Sequence, residues 1–372
     1  VVSHPSVVGV NQEVYLELRR RGWDVTVVVP SRWRHSYSSG AVAPQALAGM
    51  EDALLPTPVL LPGRPQRHLY VTRAGALVAR LRPDVAFLEA EPFALPAAQW
   101  GWALRSHRVP FGVQVYENID RALPRPIEML RGRVLAAAAF VAARSPEAAE
   151  LARRWGARGT VELAPPAVPE WPQGSPRARV HTRSEDVFTV GFAGRLVPSK
   201  GLSDLLAAVR TLPEPVRLVL LGNGEMRDEL DGAEIPGGRV QVEDGFTHAT
   251  MPDGYGQLDV LVLPSRTTPT WKEQFGRVIV EALSCGVPVV GSDSGAIPWL
   301  IGLTEGGLVF PEGDVAALGA ALTALREQPE LRERLARDGG EAVARMFTVA
   351  AATDPLERML ADAAGTPLAA SA

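Results

Sequence analysis

Residues 264–301 read PSRTTPTWKEQFGRVIVEALSCGVPVVGSDSGAIPWLI, directly after the apolar run Val260 to Leu263. Val and Leu fill that run without polar alternation. VIVEALSC then carries helical spacing, and the run Val287 to Gly291 is apolar throughout. Apolar runs of this kind suit parallel strands covered on both faces, joined by a crossover helix. Working outward, the same alternation continues. Val187 to Ala193, Val216 to Leu221 and Val240 to Val242 precede it, and Gly307 to Phe310 follows. A second series lies upstream: Asp24 to Pro30, Asp84 to Leu88, Phe111 to Val115 and Phe140 to Ala143, with helix-like stretches at Asn11 to Arg21 and Pro146 to Trp155. The opening VVSHPSVVGV reads as a first strand, with no signal peptide. Two series predict an α/β protein of two Rossmann-like, doubly wound parallel-sheet domains facing each other across a cleft.

The alternation breaks between Ala164 and Glu185, where Pro, Ala, Arg and Ser dominate without a period; such a stretch reads as a linker. The expected division is an N-terminal acceptor-side domain over 1–175 and a C-terminal ligand-binding domain over 176–348. The remaining 349–372 forms a terminal helix free to pack back towards the N-terminal domain. Helices are expected at Asp314 to Arg326, Pro329 to Met346 and about Val349 to Ala364.

The 372 residues are 46% hydrophobic and 22% charged, an ordinary globular mix. No run is long and apolar enough for a membrane span. The single cysteine, Cys285, leaves no disulfide framework or thiolate zinc site within the chain and suggests a cytoplasmic setting. No spacing suggests a metal. Residues 1–175 carry a charge of +5 and residues 176–372 a charge of −9. No dense basic stripe suggests nucleic acid. The positive half allows an anionic acceptor or a peripheral contact with the inner membrane face, where Trp33 between Arg32 and Arg34 is a candidate beside the ordinary solvated-loop reading.

Within 264–301, Glu273 and Glu281 bracket Gly276. Eight helical residues rise about 12 Å, comparable to the span from a donor sugar across a diphosphate to a ribose. Two carboxylates could each accept hydrogen bonds from a sugar, with free N–H groups at the helix start between them. A glycosidase pair needs its carboxyls roughly 5 to 10 Å apart, which this spacing exceeds. Upstream, FAGRLVPSKGLSDLL places Arg195 and Lys200 between a strand end and a helix start, an anion site. Lys200 is one of only two lysines beside 36 arginines. In LLGNGE, Gly222 lets backbone approach a ligand closely, although a plain turn explains it equally well.

Together these stretches resemble the glycosyltransferase family 4 signature on the GT-B fold. VEDGFTHATMPDGYGQLDVLVLPS and GGLVFPEGDVAALGAAL extend the likeness over Val187 to Phe347. The resemblance implies a retaining, metal-independent hexosyltransferase, without a cofactor, that takes a nucleoside-diphosphate sugar such as a UDP- or GDP-sugar. Arg195 and Lys200 would hold the diphosphate, Glu281 the ribose, and Glu273 with the backbone around Phe275 and Gly276 the transferred sugar. Gly222 would approach the donor, and Gly245 and Phe246 would border the base. The acceptor would be a glycan, a lipid-linked glycan or a small-molecule hydroxyl, in bacterial cell-surface polysaccharide or glycoconjugate synthesis. Its side departs from the family pattern. Gly9 stands alone where a glycine pair is usual, with Asn11 and Gln12 following, and Tyr116, Glu117 and Asn118 occupy the place of a frequent histidine. A nucleotide-sugar epimerase and a non-catalytic nucleotide-sugar sensor share the architecture; turnover and product identity separate the three.

Overall fold

The computed structural model describes residues 1–34, 40–168 and 187–366. The expected 175/176 boundary lies outside them. The chain forms two compact units: Val1–Ala167 together with Val349–Ala372, and Val168–Thr348.

In the first unit, Val/Ala-rich strands build a seven-stranded sheet. Its order across the sheet is Thr160–Leu163, Phe140–Ala143, Phe111–Val115, Ala86–Glu89, Val2–Ser3, Val27–Pro30, Leu54–Thr57. Every pairing is parallel. The first strand in sequence therefore lies beside the fourth, with Val2 opposite Leu88 and Ser3 opposite Glu89. Sheet order reverses there, the place where ligands of open α/β sheets bind. Apolar side chains leave both faces. Leu77, Trp100, Leu104 and Phe111 pack into one core, and Val27, Val29, Phe87 and Phe140 into another.

That second core is completed from the far end of the chain. The helix Val349–Ala364 packs on the helix Glu13–Arg20 and contributes Leu356, Met359 and Leu360. Arg21 reaches Asp354 at 2.8 Å and Glu357 at 2.6 Å, and the Trp23 indole N–H donates to Glu357 at 2.9 Å.

The second unit holds a six-stranded sheet, ordered Gln241–Glu243, Val216–Leu221, Phe188–Ala193, Val260–Leu263, Val289–Ser292, Gly307–Phe310. It too is parallel throughout. In sequence numbering this is the order 3-2-1-4-5-6, with its reversal between Phe188–Ala193 and Val260–Leu263. One apolar core runs through the unit, from Phe188 to Phe347.

The opening segment departs from expectation. VVSHPSVVGV is not one strand: Val2–Ser3 pairs, then two short 3-10 turns follow at Pro5–Val7 and Gly9–Gln12. Pro5 has no N–H to offer a ladder, and Ser3 Oγ takes the Ser6 N–H at 3.0 Å, which turns the chain out of the sheet. The helix then covers Glu13–Arg20, later than Asn11.

Candidate active site

At the reversal point of the second sheet, two loops leave neighbouring strand ends, 194–201 after Ala193 and 264–276 after Leu263. They are laced together. The Arg266 N–H donates to Ser199 O at 2.9 Å. Gly201, at φ +69°, sits so close to the other loop that a Cβ would lie 1.9 Å from Pro264 O. Only glycine fits both the left-handed backbone and that approach.

The lacing brings Lys200 to Glu273. Their Nζ and Oε2 are 2.6 Å apart, and Ser265 Oγ donates to the same oxygen at 2.9 Å. The Ser265 carbonyl in turn accepts from Ser292 Oγ at 2.6 Å. Lys200 Nζ also stands 4.7 Å from the centre of the Trp271 ring, within cation–π range. The 268–271 turn fixes that indole, the Thr268 N–H donating to Trp271 O at 2.7 Å. Glu273 does not lie on the helix, as the eight-residue rise assumed. The helix spans Arg277–Ser284, and Glu273 belongs to the loop before it. Its carbonyl accepts the Ala296 N–H at 3.0 Å, and Gly295, at φ +56°, leaves room for that carbonyl where a Cβ would stand 2.0 Å away.

Lys200, Trp271 and Glu273 line a cavity of about 250 Å³, together with Gly194, Arg195, Gln274, Gly276, Arg277 and Val278. Gly276 begins the helix at φ +80° and no side chain caps it. The first helical N–H groups thus add partial positive charge where Arg195 and Lys200 supply whole charges. Arg195 is exposed, while Lys200 and Glu273 are largely buried. An anion of diphosphate size suits such a lining.

Glu281 lies further along the helix, buried, and is not among the residues lining the cavity. The Tyr255 hydroxyl donates to its Oε2 at 2.7 Å, and Arg277 Nε lies 2.9 Å from its Oε1. Burial, reinforced by the Glu281 charge, holds the Tyr255 hydroxyl well above its ordinary pKa, so it stays a donor. Burial lowers the pKa of nearby His248, as does Arg277.

Gly222 touches the first loop: at φ +152°, a Cβ would lie 2.0 Å from Gly194 O. Gly245, at φ +82°, and half-buried Phe246 stand on the loop after Gln241–Glu243 and do not line the cavity. The Phe275 side chain is core, 6.3 Å from Trp299 and 6.2 Å from Phe347 between ring centres.

In the first unit, the Gln12 amide donates to Ser6 O and Gln45 O and accepts from the Leu47 N–H, while Asn11 Nδ2 donates to Pro5 O. Both amides thus bond the chain around them. Gly9 lies against Gln45 and Leu47. Glu117 Oε1 accepts from the N–H groups of Asn118 and Ile119, and its Oε2 is 2.9 Å from Arg121. Asn118 Nδ2 donates to Glu147 at 3.0 Å. Trp33 is buried against His4 and His68, so it cannot be the membrane-facing aromatic. Among the described residues there is no group of three or more His, Cys, Asp or Glu suited to a metal ion, and no helix long and apolar enough to cross a membrane.

Several participants were not singled out from sequence: Ser265, Gln274, Arg277, Tyr255 and Glu91. Arg277 was legible, since i to i+4 spacing puts it against Glu281. Tyr255 carries no local signal, 26 residues from its partner. Glu91 Oε1 accepts the N–H groups of Tyr116 and Glu117 at 2.7 and 3.1 Å, while its buried Oε2 has no hydrogen-bond partner. Burial pushes this carboxyl up to about 8, and the Glu117 charge acts in the same direction.

Comparison with known proteins agrees with this architecture. A family model described as glycosyl transferases group 1 matches residues 177–341, and one described as a glycosyl transferase 4-like domain matches residues 9–167. The lipopolysaccharide core biosynthesis glycosyltransferase LpsE of Rhizobium meliloti is 35% identical over 188 residues, covering 50% of this chain and 53% of that protein. The phosphatidyl-myo-inositol mannosyltransferase of Mycobacterium leprae is 39% identical over 168 residues, 42% of each chain. The chain thus spans about half the length of the curated relatives it matches. Among solved structures, sucrose-phosphate synthase from Thermosynechococcus elongatus superposes with a TM-score of 0.69 at 19% identity, covering 96% of both chains. Anabaena HepE in complex with UDP-glucose superposes with a TM-score of 0.70 at 17% identity, covering 97% of this chain and 98% of that one. At such identities the likeness is one of fold.

Proposed function

This chain belongs to the glycosyl transferases group 1 family, on a GT-B fold of two Rossmann-like units, and from that premise we propose that it transfers a hexose from a nucleoside-diphosphate sugar to a hydroxyl acceptor. The observation that carries the proposal is the cavity at the sheet reversal, where Arg195, Lys200 and an uncapped helix start surround space for a diphosphate and Glu273 stands ready for sugar hydroxyls. UDP and GDP are the donor nucleotides we favour. HepE has been solved with UDP-glucose, and the mycobacterial relative is named a mannosyltransferase.

In the proposed reaction the bond from the sugar's anomeric carbon to the diphosphate oxygen breaks, and an acceptor hydroxyl oxygen forms the new bond. Negative charge grows on the departing diphosphate. Arg195, Lys200 and the helix N–H groups face that charge, where stabilisation lowers the barrier rather than merely binding the substrate. The acceptor attacks from the face that the diphosphate leaves, where the departing phosphate takes its proton, so the anomeric configuration is retained without a protein nucleophile. Fixed cations fill the role a divalent metal plays elsewhere. Glu281, oriented by Tyr255 and Arg277, would take the ribose hydroxyls. We place the activity in bacterial cytoplasm, in the synthesis of cell-surface polysaccharide or glycoconjugate, on a glycan, lipid-linked or small-molecule acceptor.

Arg195→Ala and Lys200→Ala should each cost about 3 kcal/mol, or about 10²-fold in turnover. Lys200→Arg should also impair, because a planar fork replaces a point charge. Transfer at the parental rate in either alanine variant would refute the diphosphate assignment. Glu281→Ala should weaken binding of the nucleoside diphosphate, measured by calorimetry; an unchanged affinity removes it from the ribose role.

A further inference from the structure

The positive charge of the N-terminal half is concentrated. Between Asp52 and Asp84 there is no acidic residue, while Arg64, Arg67, Arg73, Arg80 and Arg82 fall in that interval. All five arginines are exposed. The interval contains an antiparallel hairpin, Val59–Leu60 paired with Leu69–Tyr70, with Leu60 opposite Leu69.

The pairing decides which residues share a face. Tyr70 points inward, buried against Trp100, and Val59 opposite it packs on the same core. Side chains alternate along a strand, so Leu60, Leu69 and Val71 point the other way. Leu60 and Val71 are each 59% exposed, and Leu61 at the strand end is 58% exposed. The loop beyond them carries Arg64 and Arg67, and its Gly63 packs directly on Arg34, another exposed cation. The surface continues onto the helix Leu95–Ser106. Gln99 bonds the Tyr70 backbone in both directions, and Trp102, less than one turn on, is 77% exposed.

Clustered aliphatic side chains and an indole in water are unfavourable unless something covers them. A soluble polyanion would match the arginines but leave the leucines wet. An apolar protein partner would match the leucines but desolvate unpaired guanidinium groups. An anionic bilayer matches both. Leu60, Leu61 and Val71 reach the acyl boundary, Trp102 sits at the interface, and the arginines meet phosphate headgroups. We propose that the outer face of the 59–71 hairpin, with Arg34, Arg64, Arg67, Arg73 and Trp102, is a docking surface for anionic phospholipid membranes. It is built entirely from the first unit and is independent of the donor cavity.

The test is cosedimentation of the full chain with vesicles of phosphatidylcholine alone and of phosphatidylcholine with phosphatidylglycerol. Binding should require the anionic lipid and weaken as salt rises and the Debye length shrinks. Each basic side chain near such a surface is worth about fivefold in affinity, so Arg64→Glu with Arg67→Glu should reduce binding on the order of thirtyfold or more. Leu60→Ser with Leu61→Ser should remove the part that survives high salt, and Trp102→Phe should abolish the blue shift of fluorescence on binding. None of these residues lines the donor cavity, so nucleotide binding should stay parental and report that each variant is folded. Equal binding to both vesicle types, none to either, or parental binding by the double glutamate variant overturns the proposal. So does retention of DNA or heparin, or self-association, in place of vesicle binding.

Discussion

Lys200 occupies a position with two anchors of different kind. Glu273 holds it by charge, but adds a negative group to a cavity proposed to take a diphosphate. Trp271 holds the same ammonium through its ring face without adding charge. A desolvated contact of this kind is worth up to about 2 kcal/mol. Trp271→Leu should therefore weaken binding of UDP or GDP by roughly tenfold, with Trp271→Phe in between. If the effect runs through Lys200, adding Trp271→Leu to Lys200→Met should cause no further loss; additive losses in calorimetry would show that the indole touches the ligand itself. Glu91 offers a test by pH. Its carboxyl is raised from 4.5 to about 8 by burial, so the folded state keeps a proton that the unfolded chain gives up. Stability from this group is full below pH 4.5 and is lost as pH rises to 8, by on the order of a few kcal/mol. Glu91→Gln can still accept the two N–H groups but cannot ionise. Its melting temperature, relative to wild type, should climb between pH 5 and 8; parallel curves would show that Glu91 is already ionised.

At the scale of elements, the cavity at the sheet reversal depends on two loops approaching more closely than side chains allow. Gly201→Ala places a methyl 1.9 Å from Pro264 O in a left-handed backbone, whereas Gly232→Ala, at φ +74°, meets only the tip of Arg239 at 3.9 Å. Both should carry the left-handed penalty of roughly 1–2 kcal/mol. Only Gly201→Ala should also push the loops apart and reduce nucleotide affinity beyond what the change in melting temperature explains. Equal behaviour of the two variants would mean the lacing is irrelevant to the site. Elements also differed in how readily they could be read. Phe111–Val115, Phe140–Ala143 and Val260–Leu263 are fully buried strands whose side chains are almost all apolar, and they stood out. Leu54–Thr57 and Thr160–Leu163 did not. They lie at opposite edges of the first sheet, where one side is open, Pro56 is tolerated and polar residues interrupt the run.

At the scale of the molecule, the chain leaves its first unit, builds the second and returns. Leu356, Met359 and Leu360 fill a core otherwise made from residues 1–164. Leu360→Ala should cost about 2–5 kcal/mol, lowering the calorimetric transition of that unit while the nucleotide-dependent stabilisation persists. A variant that melts like wild type would mean the helix adds nothing to the first core. The charge division follows the same scale. The net positive charge of residues 1–175 lies in the acid-free interval 53–83, yet the aromatic that sequence offered for a membrane, Trp33, is buried, while the exposed apolar residues include Leu60, Leu61, Val71 and Trp102. A loop position with flanking arginines says nothing about which way an indole turns.

Sequence alone determined the two parallel-sheet units, because burial on both faces demands apolar runs, and it singled out Arg195, Lys200 and Glu273, which line one cavity. Tertiary structure alone decided that Lys200 meets Glu273 across 73 residues, that Tyr255 reaches Glu281 across 26, that Glu273 belongs to a loop, and that the last helix closes the first core. The division has one physical cause. Periodicity and propensity act between neighbours along the chain, whereas these contacts exist only once the sheet order has reversed and carried distant strand ends to the same edge.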